Sequence, residues 1–138
     1  MNFDIEALEG LAGATFDVVV GNRDDGSPVG FRVVGPQSQQ YMQAEIVGRA
    51  LSLRIRSEAG GPIDLKSEEG SMLASRSEHQ RQIEMVMACV VDIFGFTVGA
   101  TDTAEFSKEM LSRILVARPA WVSRIAQAIE DDANFIPG

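Results

Sequence analysis

His79 and Cys89 are the only histidine and the only cysteine among 138 residues. Nucleophilic catalysis needs a nucleophile, a base and an orienting group within hydrogen-bond reach of one another. His79 lies in the polar run SEHQRQ at the start of a helical stretch and reads as solvated. Cys89 lies in the apolar run MVMACVVDIF, where nothing nearby in sequence lowers a thiol pKa, so it reads as buried and inert. A single cysteine excludes a disulfide framework and a cysteine-based zinc site. A single histidine excludes a multi-histidine metal site.

Paired carboxylates are the other route to acid/base or metal chemistry. Asn22, Asp24 and Asp25 precede Gly26, but an EF-hand loop needs its glycine at position 6 and a glutamate at position 12. Turn chemistry accounts for that cluster. Glu68-Glu69 and Asp131-Asp132 read as solvating charge. There is no GxxxxGK[ST] loop and no GxGxxG after a strand. The residues therefore point to no catalytic group, no metal site and no cofactor, and the expectation is a protein that binds rather than catalyses.

What remains is apolar helix surface. Six methionines are present, and Met85, Met87 and Met110 fall on helical stretches. Methionine suits adaptable binding surfaces, and it also fills ordinary cores. Met87, Phe94, Phe106, Met110, Trp121, Ile125 and Phe135 are the candidate partner-binding residues. Alanine at Trp121 or Phe135 separates the two roles: a core residue costs solubility, an interface residue costs partner binding.

The elements that must carry these residues follow from patterning. Residues 4–10 read as a short helix stopped by Gly10. Thr15–Val20 and Val29–Val34 are β-branched runs separated by the turn NRDDGSP, which predicts a hairpin. After Gly35-Pro36, Tyr41, Ala44, Gly48, Leu51 and Ile55 recur at helical spacing to about Arg56, with Met42, Ile46 and Leu53 flanking the stripe. Residues 57–77 hold glycines, a proline, serines and acids with few large apolar residues, which predicts a flexible linker. Ile83, Val86, Met87, Val90, Val91 and Phe94 then predict one helix from Glu78 to Phe94, stopped by Gly95. Thr103 is the expected N-cap of a helix carrying Phe106, Met110, Leu111, Ile114 and Leu115. Pro119 opens a last helix with Trp121, Val122, Ile125, Ala126 and Ile129 on its apolar face. Its end carries Glu130, Asp131 and Asp132, which the macrodipole disfavours, so that end is expected to be exposed or met by a partner. Asn134 is the expected cap there.

The predicted class is α+β and mostly helical. A hairpin packed against one helix spans 1–56, a flexible linker 57–77, and a three-helix region 78–138 packs around Val90, Phe94, Ile114, Trp121 and Ile125, the whole forming one compact domain. The linker is expected to let the two halves adjust to an irregular partner.

Charge narrows the partners. Twenty acids face 12 bases, for a net charge of -8, and no basic stripe suits phosphate binding. Arg49, Arg54 and Arg56 are the densest basic cluster and read as a solvated helix face. An acidic chain is repelled by nucleic acid and by anionic lipid, so neither is expected as a partner; proteins are. No run of about 18 apolar residues exists to span a membrane. The start MNFDIEALEG carries Asp4, Glu6 and Glu9 and no base, unlike a signal peptide.

Most of the chain resembles the tail assembly chaperones of long-tailed, siphovirus-like bacteriophages. Val91-Asp92-Ile93-Phe94-Gly95-Phe96 is similar to the step that ends a helix in that family. Phe106-Ser107 is similar to its next helix start, Pro119-Ala120-Trp121 to its proline-tryptophan step, and Asp131-Asp132-Ala133-Asn134-Phe135 to its acidic closing run. In the N-terminal half, Asp25-Gly26-Ser27-Pro28-Val29-Gly30 and Gly35-Pro36-Gln37-Ser38 resemble its hairpin turn and helix entry. Ile93 stands where an aromatic is common, the loop after Phe96 lacks an acidic-glycine turn, and one residue is inserted after Pro119. Residues 57–77 are the variable part. The resemblance implies a non-enzymatic helper of virion assembly in the host bacterial cytoplasm. It would bind the tape measure protein, keep its apolar helices soluble, and help recruit the tail tube protein. In many phages of this type a longer form arises by ribosomal frameshifting. Self-association is left open, and the alternative is a structural or adaptor component of the virion tail.

Overall fold

A computed structural model describes residues 4–58, 60 and 66–136. Helix accounts for 59 % of the described residues and strand for about 19 %, so the class is α+β and mostly helical, as the patterning predicts.

Helix α1 (Ile5–Gly10) runs into a single 3-10 turn at Leu11–Gly13. Strands β1 (Thr15–Asn22) and β2 (Pro28–Val34) form the expected hairpin. Its turn is closed by Asp25, whose carboxylate accepts hydrogen bonds from the Ser27 amide at 2.9 Å and hydroxyl at 2.6 Å. Those bonds favour the charged form and lower the Asp25 pKa. The carboxylate is thus engaged in turn geometry.

Helix α2 (Gln39–Glu58) begins at Ser38, whose hydroxyl accepts from the Tyr41 amide at 3.1 Å and donates to the Gly35 carbonyl at 2.7 Å. Ser38 is fully buried, so this pair of hydrogen bonds keeps a polar group satisfied at the helix entry. Ala44 and Gly48 are buried and Tyr41 and Leu51 half-buried, so that stripe faces inward; the side chain of Ile55 lies outside the described residues. Met42, Ile46 and Leu53 are exposed on the opposite side.

Helix α3 (Glu68–Cys89) corrects two expectations. It starts ten residues earlier than Glu78, inside the stretch expected to be linker. Ser67 caps it, accepting from the Gly70 amide at 2.9 Å, and Glu68 and Glu69 place negative charge at its positive end. Residues 59 and 61–65 of the expected linker lie outside the described residues. The second correction is at the other end. Val90–Phe94 is not helix but strand β3, paired antiparallel with β2. Its sequence satisfies both periods, and the free edge of β2 decides for the strand. Lys108 secures the junction by donating to the Met87 carbonyl, and to the Val90 carbonyl at 3.1 Å. The Met87 carbonyl is one of those that the ending helix leaves without a partner, and the Val90 carbonyl opens the strand.

The resulting sheet has the order β1-β2-β3. Val18, Phe31 and Ile93 are neighbours across it and are buried. Asp17, Arg32 and Asp92 are neighbours across it and exposed, with Arg32 Nε 3.0 Å from Asp17 and Nη1 4.0 Å from Asp92. Because β3 comes from the C-terminal half, the two halves share one sheet. Buried residues from both halves join one apolar cluster.

A small hairpin follows, β4 (Thr97–Val98) with β5 (Asp102–Thr103). Thr103 is therefore in a strand, and the N-cap of α4 (Lys108–Ala117) is Ser107, which accepts from the Met110 amide at 3.0 Å. Helix α5 (Ala120–Glu130) lies against α3 and the sheet, burying Val122, Ile125, Ala126 and Ile129. Arg124 donates to the Val19 carbonyl at 2.7 Å, where the β1 ladder shifts register. The acidic end of α5 is met from within the chain: Arg81 on α3 reaches Glu130 at 3.0 Å, as well as Glu78 at 3.1 Å and Glu45 on α2 at 3.7 Å. The C-cap of α5 is Asp131 and not the expected Asn134, which lies in the following 3-10 turn and donates from its side chain to the Ala128 carbonyl at 3.0 Å.

Candidate functional site

The seven candidate partner-binding residues do not form one surface. Ile125 and Phe135 are core, 0 % and 3 % exposed, and cannot meet a partner without unfolding. Phe135 lies over Gly35 and edge-on to Phe16. Trp121 is half-buried in an aromatic cluster, with ring centroids 5.9 Å from Phe31 and 6.0 Å from Phe96. The Arg118 guanidinium lies 4.8 Å from the Trp121 ring centroid, a cation–π contact. Phe106 and Met110 are half-buried and pack on the core. Phe94 is half-buried at the end of β3, its ring against Gly30. The spacing that marks a helix face does not say whether a neighbouring element already covers it, and for these residues one does.

Met87 is different. It lines an open groove of about 360 Å³ between α3, α4 and the start of α5. Helix α3 contributes His79, Ile83 and Met87, four residues apart and therefore on one stripe. Helix α4 contributes Ser112, Leu115 and Val116, and Pro119 and Val122 close the end. Leu115 and Val122 are buried and form the floor; Ile83 and Met87 are half-buried walls. Val116 stands 78 % exposed on the rim, the most exposed large apolar residue among those described. The groove has the character of an apolar slot with few polar groups, suited to the apolar face of a helix. Ile83 and Met87 were legible as an apolar stripe. Val116 and Pro119 were not, because nothing in the sequence says that α4 and α5 splay beside α3.

The chemistry-bearing residues are placed apart. His79 is exposed on the groove rim. Cys89 is fully buried and donates to the Met85 sulfur at 3.6 Å. Burial pushes its thiol up to about 12, against a smaller opposing pull from the Lys108 charge. A thiol held neutral is a poor nucleophile. Among the described residues, no three histidine, cysteine, aspartate or glutamate side chains gather as a metal site would require, and no helix is long and apolar enough to cross a membrane.

Compared with protein-family models, with curated proteins and with solved structures, the chain matches none.

Proposed function

We propose that this protein is an assembly chaperone of the long-tailed phage type, which holds an apolar helix of the tape measure protein in the α3–α4–α5 groove while tail tube subunits are recruited. The observation that carries the reading is the groove itself: an apolar slot with Val116 exposed on its rim, in a chain of net charge -8. A soluble carrier for a poorly soluble client needs both features. The apolar slot takes area that the client cannot hide alone, and the negative charge keeps the complex dispersed. In this reading the chain makes and breaks no covalent bond, takes no cofactor and acts in the host bacterial cytoplasm. The order of the Gly-Pro-Gln-Ser helix entry, the Phe106-Ser107 helix start and the Pro119-Ala120-Trp121 step supports the choice of client.

Co-expression with the tape measure protein of the same genome tests it. The wild type should keep the client in the soluble fraction and co-purify with it. Val116→Asp should lose the client while Val98→Asp, an exposed apolar position elsewhere, retains it. A client that stays insoluble with the wild type, or a Val116→Asp variant that carries it equally well, would overturn the reading. Recovery of the chain from purified virions would favour the structural adaptor instead.

A further inference from the structure

Two surfaces that share no lining residue with that groove complement one another in apolarity and charge. The first is α1. Ile5 and Leu8 are three residues apart on one face and exposed, and no residue of the helix is buried. Its charges are Asp4, Glu6 and Glu9, with no base.

The second is the outer face of α2. Met42, Ile46 and Leu53 fall within roughly 40° of each other around a helix of 3.6 residues per turn, and all three are exposed. Beside Leu53 runs a groove of about 350 Å³ between α2 and α3, lined by Gly48, Ser52, Arg49, Arg56 and Arg81 and by one acid, Glu45. From Ile46 to Ser57 the chain has Arg49, Arg54 and Arg56 and no acid. Arg81 is committed to Glu45, Glu78 and Glu130, and Arg49 reaches Glu45 at 3.9 Å. Arg54 and Arg56 make no ion pair among the described residues. Arg49 shares Glu45 with Arg81, so Arg56 is the cation beside Leu53 with no ion pair among the described residues, next to an apolar centre.

We propose that α1 of one copy docks on the α2 face of a second copy, Ile5 and Leu8 packing on Leu53 and its neighbours while Glu6 and Glu9 face Arg49 and Arg56. Both surfaces are exposed at once in the folded chain, with Ile5 69 % and Leu53 66 % accessible, so the contact is not made within it. One patch meets a different patch, so the contact is isologous where two copies exchange it reciprocally and heterologous where it runs on into a ring or a filament. It needs no client and stands independently of the chaperone reading.

Sedimentation velocity of the purified full-length chain tests the proposal. Self-association should rise with protein concentration and weaken when salt is raised from about 0.05 M to about 0.5 M, since exposed ion pairs are screened. Leu8→Asp and Leu53→Asp, both at exposed positions, should each keep the wild-type circular dichroism and weaken association by about tenfold or more. An equimolar mixture of the two should associate better than either alone, because one variant retains an intact α2 face and the other an intact α1. A wild type that stays monomeric at all concentrations would overturn the proposal. So would a Leu8→Asp variant that associates undiminished, which points to another surface, or a mixture with no recovery, which points to a like-on-like contact.

Discussion

The ring of Phe135 lies directly over Gly35: a Cβ placed on Gly35 would overlap the Phe135 ring. Gly35 follows β2 and Phe135 follows α5, so this contact fastens the chain's closing segment to the exit of the hairpin. Phe135 is also 6.2 Å from Phe16 in edge-on geometry, which ties it to β1. A methyl group at position 35 must displace a buried ring. Gly35→Ala should therefore lose about 1–3 kcal/mol, and Phe135→Ala about 3–5 kcal/mol from the cavity it leaves. The double variant should lose less than the sum, because the space vacated by the ring accepts the methyl. Urea denaturation of the three variants checks the coupling, and strict additivity would show that the two positions do not share that space.

Ser38 joins the same region to α2. Its hydroxyl is fully buried and serves two backbone groups, the Tyr41 amide and the Gly35 carbonyl. Ser67 and Ser107 cap α3 and α4 in the same way but from exposed positions. Water can replace an exposed cap and cannot reach a buried one. Ser38→Ala should cost about 1–2 kcal/mol, toward the upper end for a cap, and Ser67→Ala distinctly less. Thermal unfolding of the two single variants compares them directly.

The hairpin was legible because its turn residues and β-branched runs are local signals. The inward stripe of α2 was legible from spacing, and so was the course of α5. The end of α3 was not, because VVDIF satisfies a helical period and a strand period equally well. The deciding partners, β2 and Lys108, are distant in sequence. The start of α3 carried a local signal, Ser67 followed by Glu68 and Glu69, that the surrounding glycines and serines masked. Among the candidate binding residues, periodicity identified Ile125 and Trp121 as apolar-face residues but could not tell core from surface. That distinction depends on what packs against α5. Val116 shows the converse: it follows the buried Leu115 and escapes burial because no element covers its side of α4.

The contrast between Val116 and Ile125 gives a prediction that separates stability from binding. Ile125 is fully buried on α5, and Ile125→Ala should cost about 2–5 kcal/mol with loss of soluble protein. Val116→Asp replaces an exposed side chain and should leave stability within about 0.5 kcal/mol. Any loss of client by Val116→Asp then reports the groove rather than the fold. Guanidinium denaturation of both variants, run before any binding assay, establishes which variant can be read that way.

Cys89 gives a dependence on alkaline pH with a defined sign. Burial raises its folded pKa from 9.0 to about 12, while the unfolded chain keeps the lower value. Below pH 9 the thiol is neutral in both states and its contribution is fully present. As pH rises from 9 toward 12 only the unfolded state ionises, so stability falls by up to roughly 1.4 kcal/mol per pH unit. Lysine and tyrosine groups titrate in the same window, so the wild-type curve alone does not isolate the thiol. Cys89→Ala removes it and leaves the others, at the cost of a smaller buried side chain. The stability advantage of wild type over Cys89→Ala should therefore shrink steadily above pH 9, and equilibrium denaturation at several pH values measures it. Parallel curves for the two proteins would mean that the thiol ionises as readily in the folded state as in the unfolded one. The same burial predicts that a thiol-specific reagent reacts with Cys89 at a rate set by unfolding, so denaturant should accelerate labelling sharply at its unfolding midpoint.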